Sequence, residues 1–169
     1  PGTLSCIKGN AQIIAQNQQQ TYNAVPQEFF FQTEPEGLNT KISYQGIEGT
    51  DYSTQENPPI NAGKYRVTIN AEDDLYQASA NAILEIIPAP LYCTVKEHER
   101  DYGCPNPPFI IEYSGFLGND CEDDIVPPEA YTDAEINSPV TAEGYEIFLV
   151  GGSAQNYELI LQNSRLIIK

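Results

Sequence analysis

"AGKYRVTINAEDDLYQ", residues 62–77, reads as a β-strand entered through a glycine and followed by an acidic turn. Its outline returns as "AEGYEIFLVGGSAQNYEL", residues 142–159. The tyrosines keep the register of this repeat. Tyr22 and Tyr102 lie 80 positions apart, as do Tyr65 and Tyr145, while Tyr76 and Tyr157 lie 81 apart. The closing stretches "NAILEII", ending at Ile87, and "NSRLIIK", ending at Lys169, match as well. A fixed period is the mark of stacked modules.

Each period carries the same succession of signals. "LYCTVKEHERDY" opens the second, where Leu91, Cys93 and Val95 alternate with Tyr92, Thr94 and Lys96, as in a half-buried strand. "AQIIAQNQQQTY" opens the first. Proline turns follow, in "NAVPQ" and "GCPNPP", because proline fixes φ and blocks helix. Apolar strands come next, "EFFFQT" and "FIIEYSGF", then a middle segment that diverges, then the quoted strand and a closing strand. In "GNDCEDDIV" a short helix of about two turns is expected, capped by Asn119 or Asp120 and stopped by Pro127 and Pro128. Glu122, Asp123 and Asp124 would then sit where the positive end of the dipole stabilises acids.

The domain expectation is residues 9–88 for a first module and 89–169 for a second, with residues 1–8 the closing strand of a preceding module or a linker. The chain is expected to be a piece of a longer array. The fold expectation is mostly β. Two tandem small modules, each of about five strands with at most one short helix, suit a β-grasp-like layout. The alternative is an immunoglobulin-like sandwich, which needs about seven strands. The prolines of "IIPAPLY" are expected to restrict the joint between modules.

With 8 Lys and Arg against 24 Asp and Glu, the net charge is −16. That charge repels nucleic acid and anionic membrane surfaces. No apolar run is long enough to span a bilayer as a helix. Neither nucleic acid nor membrane insertion is therefore expected.

The four cysteines, Cys6, Cys93, Cys104 and Cys121, match no zinc spacing, and four cysteines allow three full pairings. Buried free thiols are one reading. A Cys104–Cys121 disulfide across "PPFIIEYSGF" is the sharper one. His98 is the lone histidine and reads as an exposed strand position. No G-x-S-x-G elbow occurs, and the repeat leaves no insertion long enough for a pocket, so no catalytic residue and no cofactor is expected. The acids at 72–74 and 120–124 are calcium candidates without an EF-hand loop. Lys41, Lys64 and Lys96 alternate outward, which argues against an isopeptide bond. The recurring tyrosines suit packing with a hydrogen-bonded hydroxyl. Tyr44, Tyr52 and Tyr131 do not recur and are expected at the surface.

"DYGCPNPPFIIEYSGFLGND", residues 101–120, resembles the Y-G-x-x-N-P…Y-S-G-F pattern of the bacterial MBG domain of the YGX type. "AEGYEIFLVGG" and "NYELILQNSRLIIK" resemble its closing signature. The first module, through "TYNAVPQ", "ISYQG", "NAGKYRVTI" and "LYQASANAILEI", resembles a sister MBG type. The resemblance implies β-rich modules of secreted or surface-attached bacterial proteins, often adhesin-like, acting as stalk or display units without catalytic residues. Their partners would be adjacent modules of the same chain. The alternative is a glycan or host protein engaged through the divergent segments 46–61 and 120–141. Cys104 and Cys121 stand where small polar residues are expected in the family, which supports pairing them.

Overall fold

A computed structural model describes residues 8–169. The chain divides into two compact units, Pro1–Ile87 and Pro88–Lys169. The expected strand remnant at residues 1–8 lies outside the described residues except for Lys8, and so does Cys6.

Unit 1 contains β1 (Gly9–Asn10), β2 (Gln12–Ile14), β3 (Gln18–Thr21), β4 (Gln32–Glu34), β5 (Thr40–Ile47), β6 (Gly63–Ala71), β7 (Tyr76–Gln77) and β8 (Ser79–Ile87). One sheet has the order β3-β8-β6-β5, and β1 pairs with β7 and β2 with β4. Unit 2 contains β9 (Ala89–Val95), β10 (His98–Arg100), β11 (Ile111–Ser114), β12 (Glu129–Thr132), β13 (Tyr145–Val150), β14 (Tyr157–Gln162) and β15 (Ser164–Ile168). Its sheets run β10-β15-β13-β12 and β11-β9-β14.

The ladder registers repeat from unit to unit. Gly9 faces Tyr76 and Ala89 faces Tyr157, both in parallel pairs. Gln18 faces Leu84 and His98 faces Leu166, again parallel. Tyr65 faces Leu84 and Tyr145 faces Leu166, both antiparallel. Ile13 faces Thr33 and Cys93 faces Tyr113. The sequence period is thus a period of strand pairing.

Unit 2 buries Cys93 and Val95 from one sheet against Ile147, Leu149, Leu166 and Ile168 from the other, with Ala134 closing the cluster. Each such aliphatic side chain contributes about 1.5–3 kcal/mol when removed from water. In unit 1, Tyr65, Val67, Ile69, Leu84 and Ile86 are all 2% exposed or less, so β6 and β8 form its centre.

The mostly β expectation holds, and the layout matches the sandwich alternative; the β-grasp-like expectation is corrected. A grasp needs a helix across its sheet, and the described residues of unit 1 carry none. Unit 2 offers a single 3-10 turn, Glu122–Asp124, with Cys121 at its cap position. That is shorter than the expected two turns. The five expected strands of the second module become seven because two of them change sheets. The opening strand breaks between β9 and β10, and the closing strand breaks at Asn163. Asn163 sustains the break: its Oδ1 accepts a bond from the Leu149 amide at 3.0 Å. A side-chain acceptor there replaces the ladder partner that the switch removes.

Candidate functional site

The recurring tyrosines hold corners. Tyr65 and Tyr145 each donate the hydroxyl upstream to a carbonyl, Asn61 at 2.6 Å and Pro139 at 2.9 Å. A tyrosine at the start of a strand, bonded back to the preceding corner, is a recurrent device of immunoglobulin-like sandwiches. The Tyr22 amide donates to the Ile87 carbonyl at 2.9 Å, and the Tyr102 amide to the Lys169 carbonyl at 2.8 Å. Their backbones are equivalent but their rings are not. Tyr22 is 4% exposed and Tyr102 57%. Tyr76 is half-buried while Tyr157 is buried.

Tyr157 closes one end of unit 2. Its hydroxyl donates to Asp120 Oδ2 at 2.6 Å and accepts the Leu117 amide at 2.9 Å. Burial, then the Asp120 bond, pushes its phenol up to about 12. The Phe116 ring stands edge-on to it at 5.5 Å. Gly115 makes that turn possible: its φ is +123° and a Cβ would lie 2.8 Å from the Pro90 carbonyl oxygen. The Y-S-G-F stretch is therefore a packing device.

Of the tyrosines expected at the surface, Tyr131 alone is exposed, its ring stacked at 5.3 Å on Phe148. Tyr44 corrects the expectation. It is 2% exposed and its hydroxyl oxygen accepts the Phe29 amide at 3.3 Å. Tyr52 is half-buried, edge-on to Tyr65, and donates to the Asn57 carbonyl at 2.7 Å.

Sequence reading missed how the opening strands grip the returning chain. Gln18 Nε2 donates to the Phe30 carbonyl while its Oε1 accepts the Phe30 amide at 3.2 Å. Gln20 Nε2 donates to the Glu28 carbonyl at 2.9 Å. In unit 2 the equivalent positions are His98 and Arg100. His98 is half-buried, with its ring against Phe109 at 5.4 Å. Arg100 is 7% exposed; it donates to Asn106 Oδ1 at 2.7 Å and to the Glu135 carbonyl at 2.6 Å. Asn106 in turn donates to the Ala134 carbonyl at 2.7 Å. A buried charge satisfied this way fixes the 134–136 loop on β10. A residue two positions past His98, on its face of the strand, is the only sequence hint.

A domain-family profile described as MBG domain matches residues 11–90, and one described as MBG domain (YGX type) matches residues 91–167. The chain belongs to the MBG domain family. The two MBG matches are contiguous in the sequence, one ending at residue 90 and the next starting at 91. No curated protein matches the chain. Among solved structures, the one described as "Structural basis for Dscam isoform specificity" aligns over 94% of this chain and 46% of its own, at 16% identity and TM-score 0.36. The Dscam1 isoform 9.44 structure, N-terminal four Ig domains (with zinc), aligns over 94% and 46%, at 16% identity and TM-score 0.35. The DSCAM isoform 1.30.30 structure, N-terminal eight Ig domains, aligns over 91% and 25%, at 17% identity and TM-score 0.34. The chain spans less than half of each of these proteins.

In the second MBG domain the expected Cys104–Cys121 bridge is absent: both thiols are free and exposed. The reason is geometric. Cys104 follows Tyr102, which bonds to Lys169 beyond the end of β15. Cys121 follows Asp120, which bonds to Tyr157 at the start of β14. The long closing strand lies between those points. Cys93 is buried, and burial pushes its thiol pKa up.

The acidic runs serve the backbone. Asp73 Oδ1 accepts the Leu75 amide at 2.8 Å, and Asp124 Oδ2 accepts the Cys121 amide at 2.9 Å. Among the described residues, no group of three or more His, Cys, Asp or Glu is placed to hold a metal ion. Lys41, Lys64 and Lys96 form exposed ion pairs with Glu56, Glu48 and Glu112, at 2.6, 2.7 and 2.6 Å. Such pairs contribute roughly 0–1 kcal/mol.

Proposed function

We propose that these tandem MBG domains are non-catalytic structural units of an adhesion-type extracellular protein, acting as a stalk or spacer in a bacterial surface or secreted array. The observation that carries the reading is the repeated strand register, with Tyr65–Leu84 and Tyr145–Leu166 as equivalent central pairs. A unit that rebuilds its own core at each period suits serial addition. One residue, Pro88, separates β8 from β9. A proline linker that short favours a restricted joint. Among the described residues, no helix is long and apolar enough to cross a membrane. Adjacent modules of the same chain are the partners on this reading. Small-angle scattering on one, two and four fused copies of the chain tests it. The maximum dimension should grow in near-constant steps; a dimension that stops growing rules out a stalk.

A ligand-binding role is the second reading, favoured by the exposed Tyr131–Phe148 stack at the edge of segment 120–141. Segment 46–61 gives it less support, because Tyr52 turns inward onto Tyr65. A glycan and matrix-protein screen of the chain against its Tyr131→Ala variant decides between the readings. Binding lost in the variant supports recognition at this edge; no binding leaves the spacer reading standing.

A further inference from the structure

Unit 1 carries an open groove of about 460 Å³ beside the β2–β4 ladder. Ile14, Phe30 and Phe31 form its apolar part, and Gln16, Asn17 and Gln32 its polar part. Every lining side chain is uncharged, in a chain of net charge −16. Beyond Phe31 the groove opens into a second depression of about 370 Å³, where Glu34 and Glu36 stand. Two carboxylates at that end disfavour an anionic ligand.

Phe30 is 69% exposed, yet its backbone is held at both its amide and its carbonyl by the Gln18 side chain. An exposed aromatic on a fixed backbone is preorganised, so little ordering entropy is lost when something stacks on it. The Gln16 and Gln32 amides each offer donors and an acceptor in one plane, and Asn17 adds its Nδ2 donors while its Oδ1 accepts the Ile83 amide at 2.9 Å. An aromatic face beside planar amides, without charge, complements a ligand whose faces are C–H and whose rim is hydroxyl.

The second domain supplies an internal comparison. The register that pairs Ile14 with Gln32 pairs Thr94 with Glu112. The positions of Gln16 and Gln32 are there Lys96 and Glu112, joined as an ion pair at 2.6 Å. Phe30 is replaced by Ile110, equally exposed at 70% but without a ring face. The fold thus tolerates a charged clasp at this place, and unit 1 lacks it.

We propose that this groove is a binding site for a neutral glycan, with Phe30 as the stacking platform and Gln16, Asn17 and Gln32 as the hydroxyl-reading groups. The site lies outside segments 46–61 and 120–141, and it does not depend on the spacer reading.

The test titrates the full 169-residue chain with neutral tetrasaccharides of glucose, N-acetylglucosamine, galactose and mannose, followed by amide NMR shifts and calorimetry. At least one should bind, with shifts confined to residues 12–18 and 28–34. Phe30→Ile should weaken it by about tenfold or more. So should the double variant Gln16→Lys, Gln32→Glu, which imports the ion pair of unit 2. Unchanged amide spectra of the distant β5–β6 and unit 2 residues verify folding of both variants. Three results would overturn the proposal: no shift in those residues with any neutral tetrasaccharide, binding that survives both variants, or a preference for charged sugars or extended peptides.

Discussion

Tyr65 and Leu84 face each other across the β6–β8 ladder, 1% and 0% exposed, at the centre of unit 1. Tyr65 also ties the chain entering β6 to this centre through its 2.6 Å bond to Asn61. Removing that hydroxyl deletes a part-buried bond to the Asn61 carbonyl. Tyr65→Phe should therefore cost about 1–2 kcal/mol. Tyr145→Phe, whose bond to Pro139 is exposed, should cost less than about 1 kcal/mol. Urea unfolding of the two variants checks both the direction and the order.

Tyr157 gives unit 2 an alkaline weakness. Its phenol is pushed up to about 12, first by burial and then by the Asp120 bond, against 10.0 ordinarily. Above pH 10 the unfolded chain releases this proton while the folded chain keeps it. Stability is therefore unaffected by this group below pH 10 and falls as pH rises from 10 to 12. The loss approaches roughly 2–3 kcal/mol. Comparing urea midpoints of the parent and Tyr157→Phe across this range isolates the effect. The variant should lack this part of the slope.

Arg100 should prove structural. Arg100→Met removes the donor to the Glu135 carbonyl and to Asn106 Oδ1, while the Ile136 carbonyl keeps the Gly103 amide at 3.2 Å. The expected cost is about 1–3 kcal/mol, with faster proteolytic nicking near residues 134–138. Limited proteolysis followed by mass spectrometry locates the cut. An unchanged cleavage map would mean that the loop holds without the guanidinium.

The repeat was legible because strand pairing preserves spacing: a period near 80 in the sequence became the same period in the registers. The number of strands was not legible. Asn163 looks like any polar residue in a closing strand, and only the Leu149 amide above it reveals a change of sheet. Arg100 was equally opaque. Within "KEHER" it reads as surface charge, and its acceptors at Glu135 and Ile136 lie 35 and 36 residues on. "QNQQQ" is uniformly polar in sequence, and a glutamine gripping the Phe30 backbone leaves no periodic trace in it. Recurrence is not the mark of burial at Tyr44. Its cross-strand neighbour is Val67, which is fully buried, and so Tyr44 belongs to the core although the equivalent position of unit 2, facing Ile147, is Thr132.

The thiols should separate by exposure. In the native chain, Cys104 and Cys121 should alkylate rapidly and completely, while Cys93 should react only after unfolding. Intact-mass analysis before and after denaturant reads this directly. A native mass two hydrogens light, with Cys104 and Cys121 both protected, would restore the bridge expected from the sequence.

Two self-contained units, each with its own centre, are the core of this account. Hydrogen exchange on Leu84→Ala and Leu166→Ala tests it most directly. Each substitution removes a fully buried side chain and should cost about 2–5 kcal/mol. Leu84→Ala should lower amide protection in β3, β5, β6 and β8 and leave β9 to β15 unchanged, with Leu166→Ala giving the converse. Equal loss of protection in both halves from either substitution would contradict it.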